Sequence, residues 1–110
     1  MANTFARKLS QSVGTTPATV GAYTVGAATQ VTVIGMSVAN TSASAVTADI
    51  VHNNGSTDTY LIKAGPIPVG SSLVLFGGDQ KLVLVTGDSV KVTSSAAASL
   101  DVVMSILEIT

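Results

Sequence analysis

The stretch AVTADIVHNNGSTDTYLIK, residues 45–63, decides the fold. Val46, Ala48 and Ile50 alternate with Thr47, Asp49 and Val51, the period of two that gives a strand one apolar and one more polar face. Asn53-Asn54-Gly55 then offers residues that tolerate the positive torsions of a tight turn, and residues 57–63 return through Thr, Tyr, Leu and Ile. The unit reads as a β-hairpin with strands at 45–52 and 57–63.

The same texture extends both ways. Strands are expected at 19–25 and 31–39 before the hairpin, and at 72–76, 81–85, 89–93 and 100–109 after it. Gly77-Gly78-Asp79, Gly87-Asp88 and the small polar run 94–99 punctuate the later strands. Pro66 and Pro68 remove ladder donors, so residues 65–70 cannot be a central strand and should turn a corner or cross between sheets. The opening residues 1–17 have weak periodicity and end in Gly14-Thr15-Thr16-Pro17, and they read as an extended arm or edge segment able to reach a neighbouring subunit. The expected fold is therefore all-β, an antiparallel sandwich of about eight strands, jelly-roll or Ig-like. One domain at 18–110 follows an N-terminal arm at 1–17.

Only 10% of the 110 residues are charged, against about 25% in ordinary soluble domains, while mean hydropathy is +0.55. A net charge of -1 provides no basic patch for a phosphate backbone, so nucleic acid is not an expected partner. Every apolar run is interrupted well short of the ~18–20 residues that cross a bilayer, so no membrane is expected either. There are no cysteines, hence no disulfide and no thiolate chemistry. Arg7 and Lys8 are not followed by an apolar core, so no signal peptide is expected and synthesis should be cytoplasmic.

Several strands are apolar on both faces. Residues 100–109 carry Val102, Met104 and Ile106 on one side and Val103, Leu107 and Ile109 on the other, and residues 73–76 and 82–85 are apolar throughout. A two-layer sandwich has one inner face per sheet, so the second apolar set needs another cover. Leu73, Leu75, Val83, Val85, Val103, Leu107 and Ile109 are accordingly expected at an interface in a symmetric homo-oligomer.

Chemistry-bearing constellations are sparse. His52 is the single histidine, so no histidine array can form, and it reads as a partly covered imidazole beside the hairpin turn. Asp49, Asp58, Asp79, Asp88, Asp101 and Glu108 stand singly, and their spacing selects neither a hydrolytic pair nor a calcium loop. Aspartate after glycine at Asp79 and Asp88 is turn chemistry, the carboxylate accepting nearby backbone N–H groups. Gly26-Ala27-Ala28 and Gly77-Gly78 precede no expected helix and do not follow the phosphate-cradling patterns. No catalytic residue, metal ligand or cofactor is expected.

Five strings occur in order: VIGMSVANT at 33–41, PIPVGSSL at 66–73, GGDQK at 77–81, GDSVKV at 87–92 and SILEIT at 105–110. Together they resemble small β-rich virion structural proteins of tailed phages, of the type found in phages of marine and cyanobacterial hosts. The resemblance spans about residues 15–110 and implies a non-enzymatic virion component that docks on capsid, neck or tail proteins, with no catalytic residues to carry over. A second reading is a host-receptor or carbohydrate-binding module of a tail or fibre, contacting glycan through the polar loops 53–58 and 94–99. Phe5, Tyr23, Tyr60 and Phe76 are its whole aromatic supply, thin for a sugar-stacking platform.

Overall fold

The computed structural model describes residues 3–76 and 82–110, the side chains of Leu75 and Phe76 excepted. Nine strands run in chain order: β1 (Asn3–Val13), β2 (Ala18–Thr19), β3 (Gln30–Asn40), β4 (Val46–Asn53), β5 (Asp58–Ile67), β6 (Ser72–Phe76), β7 (Leu82–Leu84), β8 (Ser89–Ser94) and β9 (Leu100–Ile109). They form two antiparallel sheets. The first has the order β1-β9-β3-β6, with β7 also pairing with β3, and the second has the order β2-β8-β4-β5. With β7 set aside, the chain changes sheet at every step except the β4–β5 hairpin, which is the jelly-roll path, and this settles the choice between jelly-roll and Ig-like in favour of the former.

Seven of the eight expected strands have a counterpart, the exception is 19–25, and the addition is β1. Residues 3–13 do not form a free arm: they pair along β9 from Asn3 opposite Ile109 to Val13 opposite Leu100, as the edge of the first sheet. The segment 19–25 is corrected. Only Ala18–Thr19 pairs with β8, and a 3-10 turn follows at Val20–Ala22, because Gly21 and Ala22 take positive φ of 61° and 52° and bend the chain away from the ladder. The turn lies so close under β1 that a Cβ on Gly21 would stand 2.7 Å from Lys8 Cβ.

The hairpin between β4 and β5 is present, with Gly55 at φ 101° and Asn53 paired with Asp58. Pro66 lies opposite Thr47 on β5, the outer edge of the second sheet, where a missing N–H breaks no ladder bond. A turn closed by the Ser71 N–H on the Pro68 carbonyl, with Gly70 at φ 72°, then carries the chain across to β6 in the first sheet. The expected Gly77-Gly78-Asp79 turn lies outside the described residues.

The core is aliphatic and lies between the sheets. Val31, Val33, Met36 and Val38 of β3 and Leu100, Val102, Met104 and Ile106 of β9 meet Val46, Ala48 and Ile50 of β4 and Val90 and Val92 of β8, all buried. Among the described residues every buried side-chain polar atom has a hydrogen-bond partner.

Candidate functional site: the outer face of the first sheet

Strand register aligns the outward side chains of the first sheet in rows. Phe5 stands opposite Leu107, Leu107 opposite Thr32, and Thr32 opposite Val83. Two residues along each of β1 and β9, Arg7, Ser105 and Gly35 form a row of one long and two minimal residues. Beyond it Leu9, Val103, Ser37 and Val74 form another row across β1, β9, β3 and β6. Phe5 is 76% exposed, Val74 65%, Val83 58%, and Val103 and Leu9 are 46% and 44% exposed, while Leu107 is half-buried.

Two mainly apolar ridges, each with one hydroxyl residue on β3 (Thr32 or Ser37), thus cross the sheet about 14 Å apart, at ~3.4 Å per residue, with a furrow between them. Ile34 is the extra residue of a β-bulge, since Val33 pairs with Ile106 and Gly35 with Ser105. It helps line a hollow of about 400 Å³ in the furrow with Phe5, Ala6, Arg7, Ser105 and Ile106. Arg7 is the sole charge in these three rows.

The outer face of the second sheet is different in kind. Thr19, Lys91, Val51 and Tyr60 make one row, Asp49 pairs with Thr93, and the Lys63 ammonium lies 4.9 Å from the centre of the Tyr60 ring. The described strands divide their charged residues evenly, Arg7, Lys8, Asp101 and Glu108 in the first sheet and Asp49, Asp58, Lys63 and Lys91 in the second, but the three rows of the first sheet hold Arg7 alone.

The residues expected at an interface divide accordingly. Val83 and Val103 lie on the bare face, and Leu107 joins them half-buried. Val85 is 49% exposed just past β7, and with half-buried Ile109 it lines a groove of about 420 Å³ that also includes Ala28, Thr29, Gln30, Thr86 and Thr110. Leu73 is a correction: it pairs with fully buried Val38, packs against the core, and its Cδ2 would lie 3.4 Å from a Cβ on Gly65 of the opposite sheet. Its neighbour Val74 is the outward residue. The Leu75 side chain lies outside the described residues. Phe5, Leu9 and Val74 are the members that sequence reasoning missed. In Phe5-Ala6-Arg7-Lys8-Leu9 the two large apolar residues are four apart on one strand face, a signal masked by the weak periodicity of 1–17, whose reading as an arm or edge segment named no outward face.

The ionisable groups serve local structure. His52 Nε2 lies 2.8 Å from Asp88 Oδ2, which also accepts the Val85 N–H at 3.0 Å in the turn before β8. Partial desolvation opposes ionisation of Asp88, but the Val85 N–H and the hydrogen bond and charge of His52 outweigh it and hold the carboxyl below its ordinary value. Asp49 accepts the Ala64 N–H, Asp101 the Ser12 N–H, and Asp58 an amide N–H of Asn53. Ala64 and Ser12 both have positive φ, so two of these carboxylates pin irregular points of edge strands.

Tyr23 Oη donates to Glu108 Oε2 at 2.6 Å, with the Lys8 ammonium 4.3 Å from the ring centre. Burial first, then that hydrogen bond and the Glu108 charge, push the phenol well above its ordinary range. Among the described residues no three His, Asp or Glu side chains group as metal ligands, and no helix is long and apolar enough to cross a membrane. In the 53–58 loop, Asn53 Oδ1 accepts the Gly55 N–H and Asn54 Oδ1 accepts the N–H groups of Ser56 and Thr57, so these side chains are occupied in shaping the turn.

The fold and face define an all-β jelly roll with one apolar outer sheet face and one polar one. No family model matches the chain, and no curated protein matches it. Among solved structures, the chain is similar to one from Bacillus endospore appendages, described as a novel family of disulfide-linked pili. The match has 14% identity and a TM-score of 0.49, covering 100% of this chain and 91% of the other.

Proposed function

We propose that this chain is a non-enzymatic structural protein of a tailed-phage virion, which self-assembles into a symmetric oligomer and docks on capsid, neck or tail proteins. The observation that carries the assembling role is the pair of in-register apolar ridges on the first sheet. Burying such side chains contributes about 1.5–3 kcal/mol each in transfer free energy, and a contiguous strip of them is a contact surface. The virion setting is supported by the five ordered strings that resemble phage structural proteins, and by a jelly roll, an architecture that capsid domains share with many others. The carboxylates engaged with backbone N–H groups, Asn53, His52 and Tyr23 fit a scaffold.

Sedimentation equilibrium at micromolar concentration, together with a search for the chain in purified virions, tests both halves. A discrete oligomer that co-purifies with particles is the expected outcome. A stable monomer absent from particles overturns the proposal.

A further inference from the structure

The geometry points to a particular partner for the bare face: the same face of a second copy, related by a two-fold axis, with each Phe5 filling the hollow of the other. This rests on the self-assembling role proposed above and specifies its contact. Three features of the face single out a second copy.

The face carries both a knob and a hole. Phe5 is 76% exposed on an edge strand and forms one wall of an open hollow of about 400 Å³ that Ala6, Arg7, Ile34, Ser105 and Ile106 also line. A surface holding a projecting ring and an apolar recess next to it is complementary to itself, which is the requirement of an isologous contact. Seating the ring there also places it against the Arg7 guanidinium of the second copy, a favourable cation–π arrangement. The furrow is open because Ser105 and Gly35 are small, so a ridge from the second copy can lie along it.

The face also has the right form. Four strands about 4.8 Å apart, over the nine residues from Asn3 to Gln11, give on the order of 500 Å² of flat sheet per copy, more once side-chain relief is counted. Two such faces total about 1,000 Å² or more, the lower bound for a specific protein–protein contact. Sheets pack face to face at about 10 Å with strands within ~30°, so another twisted sheet is a natural cover.

Charge disposes of the alternatives. One arginine among the three rows gives too little positive charge to hold an anionic surface, and there is no acidic cluster for a basic partner. In a homotypic pair Arg7 sits on the edge strand, where its head group reaches water.

The test uses four variants in the full chain, each checked for its β circular-dichroism signal and thermal melt. Phe5→Ala removes the knob, and Ser105→Trp fills the hole from an exposed position. Val103→Arg places a charge in the adjacent ridge, and Tyr60→Ala truncates an exposed aromatic on the other sheet as a control. Phe5→Ala and Ser105→Trp should each weaken self-association about tenfold or more, and Val103→Arg about a hundredfold, with Tyr60→Ala unchanged. Should Val103→Arg unfold the protein, Phe5→Ala still decides, because its side chain is largely in water.

Association that survives both Phe5→Ala and Ser105→Trp overturns the knob-and-hole pairing while leaving the assembling role standing. A wild-type chain that is monomeric overturns both. Since the chain has no cysteine, Ser105→Cys adds an independent readout: a short bis-maleimide should couple two copies at that position and leave a Tyr60→Cys protein uncoupled.

Discussion

The side-chain amide of Asn40, at the end of β3 in one sheet, donates to the carbonyl of Ile67, at the end of β5 in the other, at 3.0 Å. It donates a second bond to the Ser44 carbonyl, and its Oδ1 accepts from the Ser42 N–H and hydroxyl. One buried amide therefore closes the β3–β4 loop and clamps the two sheets at a corner. Asn40→Asp keeps the shape but turns the donor into an oxygen facing two carbonyls. It should cost about 2–4 kcal/mol, the loss of two bonds and the burial of an unpaired acceptor. Urea unfolding of the variant reads this directly, and a loss below about 0.5 kcal/mol would show that the clamp is incidental.

The His52–Asp88 pair joins the end of β4 to the turn before β8, and it should make stability fall in acid. The folded Asp88 carboxyl ionises below the ordinary aspartate value of about 3.9, so between the two values the unfolded chain binds more protons. The contribution is complete above the ordinary value and is lost as pH falls through the folded one. Thermal melts between pH 6 and about pH 2.5 should show this decline, shallower in Asp88→Asn, which cannot titrate. At neutral pH the same variant should lose about 1–3 kcal/mol, because the His52 and Val85 N–H groups no longer meet a charge.

Gly21 and Gly26 should respond oppositely to alanine. Gly21 has φ 61°, and an added Cβ would meet Lys8 Cβ at 2.7 Å and the Lys8 Cα at 3.1 Å. Gly21→Ala combines left-handed strain with displacement of β1, for at least about 1–2 kcal/mol. Hydrogen exchange should show the β1 amides opening first. Gly26 has open space around its missing Cβ and no positive φ, so Gly26→Ala should be neutral or stabilise by up to about 1 kcal/mol.

Local alternation made most of the fold legible. Alternation over residues 100–109 predicts one strand with Val102, Met104 and Ile106 on one face, and β9 has these bounds and that inner face. Turn residues placed the β4–β5 hairpin, and the prolines kept β5 from the middle of a sheet. The misreadings came where the deciding fact is non-local. Residues 3–13 pair with the far end of the chain, and no pattern within β1 announces Asn3 opposite Ile109. Leu73-Val74-Leu75-Phe76 is apolar throughout, so alternation could not choose its inward face. Pairing of Leu73 with Val38 chose it, and that depends on register with β3. The ridges were half legible for the same reason: each strand gives its own outward residues, but only register aligns Phe5 with Leu107 and Val83.

The two faces of β9 should separate folding from association. Ile106 is fully buried between the sheets, and Ile106→Ala removes core contacts on every side, for about 2–5 kcal/mol of stability. Val103, three residues earlier on the opposite face, is 46% exposed, so Val103→Ala should change the stability of a dilute monomer by under about 1 kcal/mol. If the outer face is a contact, the same truncation weakens association in the concentration range where oligomers form. Unfolding followed at two protein concentrations distinguishes the cases. For Ile106→Ala the midpoint drops at both, whereas for Val103→Ala the deficit should appear only at the higher one, where binding adds to the stability of the native state. Equal deficits at both concentrations would mean that Val103 is a core residue of the single chain and that the face does not assemble.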